Sequence, residues 1–432
     1  MISQIVFLIL FIAAIALFTK NVRMVIRNIY LGREINRSDN KGDRWKTMFR
    51  VALGQSKMVT RPIAGILHII VYAGFVIINI EVLEILIDGI AGTHRVFSFA
   101  GSLYNVLIGS FELLAILVLL ACVIFLIRRN VIKLRRFQMR ELTSWPRTDA
   151  NLILITEILL MTAFLIMNAS DSVLQSRSFD HYVQAGSFPI SNLFAPMFTS
   201  MSSEALMLIE RICWWFHIIG ILAFLNYIPY SKHFHILLAF PNTWYSNLQA
   251  KGKFDEMKNV SREVLLMLDP AAQVEPAVTG EPQRFGAKDV NDLTWKQLMD
   301  AYSCTECGRC TSECPANQTG KLLSPRKIMM DTRDRLEEVG RGIDKNGKDF
   351  KDEKSLMNYI SEEELWACTS CNACVQACPV NIDPLSIILD MRRYLVMEES
   401  KVPSELANMF NKIENNGAPW QFSQQDRANW TA

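Results

Sequence analysis

The chain has 432 residues, enough for two or three domains, and half of them are hydrophobic. Lysine plus arginine number 45 against 43 aspartates plus glutamates, so the net charge is only +2 and no nucleic-acid role is indicated. Of the 10 cysteines, all but Cys122 and Cys213 gather in two short runs, which suits a reducing compartment and not a disulfide scaffold.

In chain order, five apolar stretches come first, near 2–19, 62–80, 104–127, 151–169 and 205–230. Each is close to the ~20 residues that span a bilayer as helix. The first lacks a basic start and a small-residue cleavage site, so it reads as a retained helix and not a signal peptide. Cys122 and Cys213 lie inside apolar runs and read as packing residues. Two connecting loops are strongly basic, from Lys20 to Arg61 and from Arg128 to Arg147, whereas the other two carry one arginine each, Arg95 and Arg177. The positive-inside rule puts the basic loops in the cytoplasm, the N-terminus outside, and the end of the fifth helix on the cytoplasmic side. Residues 1–240 are thus expected to form a multi-pass domain in lipid, the bacterial inner (cytoplasmic) membrane.

Six histidines occur in the chain. His94 and His181 fall in outer loops and read as surface residues. His68 lies in the second apolar stretch, His217 in the fifth, and His233 and His235 at its inner end. Histidines on two helices suggest bis-histidine haem b, although a lone intramembrane histidine can simply be a hydrogen-bonded polar residue. His68 is roughly 10 Å along the helix from the inner end of its stretch, and His217 lies about 27 Å from His235 on a continuous helix. His68 therefore pairs with the inner group, His235 first and His233 second, leaving His217 deeper. Glu112, Glu157 and the pair Glu210-Arg211 are ionisable groups inside apolar stretches and are candidates for quinone binding or proton transfer. Mutual neutralisation of Glu112 with Glu210-Arg211 is the plainer reading.

Residues 241–290 read as a connector, helical and polar over 241–268 and then rich in proline and glycine. Asp292 or Thr294 is placed to cap a helix leading into the next segment, 291–400. That segment holds Cys304-Thr-Glu-Cys307-Gly-Arg-Cys310-Thr-Ser-Glu-Cys314-Pro315 and its echo, Cys368-Thr-Ser-Cys371-Asn-Ala-Cys374-Val-Gln-Ala-Cys378-Pro379. The spacing is that of iron–sulfur ligands, three thiolates on one loop and a fourth serving the other cluster. It predicts one 4Fe–4S cluster on Cys304, Cys307, Cys310 and Cys378, and a second on Cys368, Cys371, Cys374 and Cys314. Zinc, the competing reading of paired cysteines, does not account for two four-cysteine runs each followed by proline. Between and after the runs, stretches beginning near Pro325, Lys354 and Ile382 read as three amphipathic helices, so a helical ferredoxin domain is expected. Gly320-Lys321 and Arg309 could tune the potential of the clusters or be solvated surface. Residues 401–432 form a tail suited to partner contact. The expected fold is mainly α, a five-helix membrane bundle followed by a two-cluster helical domain.

Two resemblances accompany these readings. The five helices and the stretch FHIIGILAFLNYIPYSKHFHI, holding His217 and His235, resemble the gamma subunit of respiratory nitrate reductase, a quinol-oxidising dihaem cytochrome b. In that family the second and fifth helices each supply two histidines; His68 matches the first of the second helix, and Ile78 stands where the other would fall. The resemblance implies an inner haem on His68 and His235 and leaves His217 for a second haem or for a quinone. The stretch DLTWKQLMDAYSCTECGRCTSECPANQTGKLLSPRKI, with ENNGAPWQFSQQDRANW near the end, resembles the membrane iron–sulfur oxidoreductases related to heterodisulfide reductase. Together the two halves look like flavoprotein:menaquinone oxidoreductases. This implies a respiratory electron-transfer subunit with menaquinone as substrate. It also implies a separate partner carrying cysteine-cysteine-glycine repeats, absent from this sequence, and an electron-transfer flavoprotein as donor. The sequence holds no G-x-G-x-x-G fingerprint and no P-loop, so bond-making chemistry is expected in partners. Quinol oxidation driving reduction of a cytoplasmic disulfide or sulfur substrate is the alternative direction. A haem-free membrane anchor for a ferredoxin module is the alternative of a different class.

Overall fold

A computed structural model describes residues 1–273 and 284–431. Five helices are long and apolar enough to cross a membrane: α1 (Ile2–Ile29), α2 (Pro62–Ala91), α3 (Ser102–Leu126, running on in a wider turn to Val131), α4 (Trp145–Ser176) and α5 (Ser203–Tyr227). The first four run past the expected limits, whereas α5 starts two residues early and ends at Tyr227, short of 230. At 28 to 32 residues with their terminal turns they are about 42–48 Å long, against about 30 Å of hydrocarbon. In α2 the surplus turns carry Glu81, Glu84 and Asp88.

Local chemistry sets the helix ends. Pro62 and Pro146 occupy the first turns of α2 and α4, where no backbone donor is needed. Gly92 ends α2 at φ +75°. The Ser202 side chain accepts from the Ala205 amide to start α5. The helices form a closed ring in which each packs on the next and α1 closes it between α2 and α5. Phe7, Ile78, Ile108, Phe111, Phe164 and Ile218 form its core. Gly89 lets α1 in close, since a Cβ there would stand 2.7 Å from the Phe7 ring.

Beyond Tyr227 the chain departs from the continuous helix assumed for the His217–His235 spacing. Pro229 cannot donate to a helical ladder, and two short 3-10 turns, Ile228–Tyr230 and Lys232–Phe234, redirect the backbone. His235 then opens α6 (His235–Trp244). The connector is helical only in part, as α6 and a separate helix Lys258–Leu268 with non-helical residues between them. The proline-rich portion at 274–283 lies outside the described residues.

The regular structure of the cysteine-bearing segment is all helical, with loops between, and the described residues contain no strand, only an isolated bridge between Arg33 and Thr294. Its elements are α7 (Trp295–Tyr302), α8 (Arg309–Glu313), α9 (Pro325–Asn346), α10 (Ala373–Ala377) and α11 (Pro384–Met397). Thr294 caps α7 in a capping box with Gln297, while Asp292 instead closes the 3-10 turn before it. The amphipathic stretch near Lys354 forms a 3-10 turn at Leu356–Asn358 and a short helix Glu362–Trp366 in place of one helix.

This segment shares a core with the bundle: Val25, Ile29 and Phe234 pack with Leu293, Leu298, Ile328 and Ile388. Both basic loops lie at that end. Lys57 donates to the Val375 and Cys378 carbonyls, and Arg61 pairs with Glu313 at 2.7 Å. The fully buried Arg326 pairs with Glu141 at 2.7 Å and donates to the Arg136 carbonyl.

Candidate electron-transfer site

The two cysteine runs fold alike. In each, the residue before the second cysteine (Glu306, Ser370) and the residue after it (Gly308, Asn372) is left-handed, at φ 54°, 56°, 70° and 60°. These turns fold the first three cysteines of each run into one loop. The third, Cys310 or Cys374, lies in a short helix, and the fourth, Cys314 or Cys378, is extended before its proline. Helices α8 and α10 pack on each other and bring the runs face to face. Gly308 allows close approach, because a Cβ there would stand 2.4 Å from the buried Arg326 guanidinium.

The electrostatic neighbourhoods cross between the runs. Burial pushes the Cys378 thiol up to about 11, and the charge of Cys307, from the other run, adds to it. Cys310 is raised by burial and then by Cys304, Cys307 and Cys378. Cys314 is among the charges acting on both Cys368 and Cys374. Burial also pushes Cys304 up to about 12. Cys304, Cys314, Cys374 and Cys378 are buried, and thiols so placed ionise readily only against a bound positive centre such as a metal. Each run's fourth cysteine thus lies in the charge environment of the other run, as a crossed arrangement of two 4Fe–4S clusters would need, while among the described residues no three ligating side chains stand close enough together to hold a metal ion. The amides of Ser370 and Ile382 point at the sulfurs of Cys368 and Cys378 at 3.4 and 3.3 Å, contacts of the kind that tune cluster potentials. Arg309 is buried, and it donates to the Lys57 and Met58 carbonyls, so it fastens the first run to the loop before α2. Lys321 is exposed.

His68, His233 and His235 lie together, and His217 stands apart from them. The rings of His68 and His235 are 6.5 Å apart. An imidazole nitrogen binds a metal at about 2 Å, so two rings on opposite sides of one iron have centres roughly 6 Å apart. His235 Nδ1 lies 3.0 Å from the Lys232 carbonyl, which holds the ring and leaves Nε2 for a ligand. His68 Nδ1 is buried without a partner. Burial lowers the affinity of His235 for a proton and brings His233 down to about 3, so both are neutral, as metal ligation requires. His233 packs its ring 5.6 Å from His235 and 5.3 Å from Phe224. His68 and His235 fit one haem b. His217 is buried at mid-bundle with Nδ1 3.1 Å from the Leu160 carbonyl, and its ring packs on Phe164, away from the other five histidines.

Lys232 ties the two groups of residues together. Its carbonyl holds His235, and its amino group pairs with Glu306, which stands between Cys304 and Cys307. Arg333 pairs with the other oxygen of Glu306 at 2.9 Å. Burial opposes ionisation of Glu306, but Lys232 and Arg333 hold its carboxyl below the ordinary glutamate range.

At the far end of the bundle a cavity of about 270 Å³ is lined by Phe7, Glu81, Arg95, Glu210, Arg211 and Trp214, among others. Glu210 pairs with its neighbour Arg211 and accepts from the Tyr182 hydroxyl at 2.9 Å. Glu112 does not meet them. It accepts from Asn168 at 3.1 Å and from the Ile190 and Ser191 amides, so the mutual neutralisation foreseen for these charges does not form. Glu157 sits on α4 with no salt bridge or side-chain hydrogen bond among the described residues.

Several residues of this end escaped the sequence reading. Arg95, 7% exposed, pairs with Asp171 at 2.6 Å and donates to Asn168 and Tyr104. His94, read as a surface residue, is half-buried, 3.6 Å from Asp171, with its ring 4.9 Å from Tyr182. Glu81 is buried with one carboxylate oxygen unpartnered. Glu81, Glu84 and Asp88 share one face of α2, a spacing visible once the helix is carried past residue 80.

Residues 303–382 match the model of a family described as a 4Fe-4S dicluster domain. A probable iron-sulfur-binding oxidoreductase FadF of Bacillus subtilis is 27% identical over 99% of this chain and 60% of its own length. An EtfAB:quinone oxidoreductase of Syntrophomonas wolfei is 28% identical over 92% of this chain and 55% of its own length. One subunit of a ferredoxin/F(420)H(2)-dependent CoB-CoM heterodisulfide reductase of Methanosarcina acetivorans is 32% identical over 24% of this chain and 52% of its own length. The chain thus spans between half and two thirds of the curated relatives it matches along nearly its whole length. No solved structure matches it.

Proposed function

We propose that this membrane iron–sulfur electron-transfer protein, a relative of the oxidoreductases akin to heterodisulfide reductase, is the quinone-linked subunit of a respiratory complex. Its working parts are two 4Fe–4S clusters on the crossed cysteine sets, a haem b on His68 and His235, and menaquinone. The clusters and haem supply one-electron carriers; the chain positions them, sheds water around them and sets their charge environment. The observation that carries the reading is the Lys232 bracket, which locks the histidine segment onto the first cysteine loop.

The cysteine end is assigned to the cytoplasm of a bacterial inner membrane because both basic loops dock on it. A cytoplasmic partner then delivers electrons there, either a cysteine-cysteine-glycine-repeat iron–sulfur subunit or an electron-transfer flavoprotein. The far cavity, with Glu81 and Glu210 beside Phe7 and Trp214, offers protonatable groups and aromatic walls for a quinone ring. Similarity to a heterodisulfide reductase subunit supports a second reading, in which quinol is oxidised and a cytoplasmic disulfide is reduced.

The test is reconstitution of the purified chain in nanodiscs with a menaquinone analogue and a soluble low-potential reductant. Haem absorbance and quinol formation are followed together. The proposal expects both to rise after the clusters are reduced. Cluster reduction with no quinol formed would refute it.

A further inference from the structure

A second cavity, about 490 Å³, opens where the inner ends of α2 and α3 meet the first cysteine run. Arg61, Arg128, Arg135 and Arg136 line it, together with Ile63 and Leu134. Of the four cations only Arg61 has a carboxylate partner, Glu313; among the described residues none pairs with Arg128, Arg135 or Arg136. Arg136 is half-buried and its Nε is buried with no acceptor. Burial draws its proton affinity down to about 10, and the neighbouring Arg61, Arg309 and Arg128 add to that against the opposing charge of Cys307. Arg128, Arg135 and Arg136 converge on one cavity with no carboxylate partner among the described residues, so they repel one another, and an anion there relieves that repulsion.

The apolar side is as specific as the charge. Ile63 and Ile66, on the α2 turns next to Arg61, are 62% and 59% exposed, and Ile132, after α3, is 58% exposed. These faces belong to the membrane-spanning bundle, so an alkyl chain can lie on them while its headgroup enters the cavity. The Arg136 guanidinium stacks 4.7 Å from the Phe137 ring centre, which accounts for its partial burial and leaves its Nε free for an acceptor.

We propose that this cavity is a binding site for the phosphate of an anionic phospholipid, seated between α2 and α3 on the cysteine-bearing side of the membrane. The proposal rests on the bundle being membrane-embedded and not on which side is cytoplasmic. A bound phosphate would also place negative charge near Cys307 and shift the potential of the first cluster downward.

The experiment uses the full chain purified in detergent, where sidedness plays no part. It is challenged with phosphatidylglycerol, phosphatidylcholine or inorganic phosphate, and bound lipid is counted by native mass spectrometry. Phosphatidylglycerol should be retained and phosphatidylcholine washed out. The variant R128Q/R135Q/R136Q should lose roughly 100-fold in phosphatidylglycerol retention, from the usual contribution of each basic residue at a lipid surface. Its cluster spectrum should be unchanged. R135Q alone, at an exposed position, should lose severalfold and serves if the triple variant misfolds. Redox titration with phosphatidylglycerol added should shift the potential of the first cluster downward in the wild type only. Equal retention of both lipids, or equal retention by the wild type and R135Q, would overturn the proposal. Inorganic phosphate binding as tightly as the lipid would overturn it too, pointing to a free anion.

Discussion

Replacing Lys232 by methionine probes the joint between the two cofactor-holding regions. The side chain keeps its length and loses its charge. Glu306 is then left with Arg333 alone in a pocket where its side chain is 3% exposed. Removing one partner of a buried pair costs about 3–5 kcal/mol when nothing remains to compensate. Because Arg333 holds the other oxygen at 2.9 Å, the loss should fall to about 0.5–3 kcal/mol, the range of coupling between residues in one network. The functional effect should be larger than this implies. The Lys232 backbone carbonyl that orients His235 is kept in the variant, but the side-chain anchor that fixes its segment to Glu306 is lost, and disturbing such outer contacts typically costs about 10–100-fold in metal affinity or activity. The assay is haem content and haem reduction rate in K232M, E306Q and the double variant. Non-additive losses, with the double variant close to K232M, are expected. Additive effects, or full haem occupancy with a wild-type rate in K232M, would refute the bracket.

Other outcomes follow from the same geometry. C378A should remove the EPR signal of the cluster whose other ligands are Cys304, Cys307 and Cys310, and C314A that of the other cluster; loss of the partner signal in each case would reverse the crossed assignment. E81Q should leave cluster and haem spectra intact while lowering quinone turnover by about 100-fold or more, the usual range for a proton-transfer group; unchanged turnover would remove Glu81 from the far cavity's chemistry. R335L should destabilise the cysteine-bearing segment by about 3–5 kcal/mol, since Arg335 is buried between Asp289 at 2.7 Å and Asp352 at 2.6 Å. A denaturant midpoint equal to the wild type would contradict that. The Arg335 hydrogen bond holds Asp352 below its ordinary value of 3.8, so this pair is fully stabilising above that value and weakens as pH falls through the lower folded value.

Much of the molecule was legible in the sequence because the governing signals are local. Apolar length marks the five spans, and cysteine spacing marks both loops, though not their matching left-handed residues. What was missed depends on chain reversal and depth. The His217–His235 spacing was read on a continuous helix although Pro229 lies within it, and nothing local showed that His235 would begin a new helix on the Lys232 carbonyl. Arg95 looked like a lone outer-loop arginine because nothing near it in sequence shows Asp171, which approaches from α4. Lys232 reads as one more basic residue at a helix end until Glu306 is brought beside it.

The central claim is a haem b held between α2 and the start of α6. Its most direct test is the reduced-minus-oxidised spectrum of the purified chain with a haem count per polypeptide, compared with H68A and H235A. A b-type spectrum lost in both variants, with both clusters retained, is the expected result. A spectrum unchanged in H68A and H235A, or a fully assembled chain containing no haem, would contradict it.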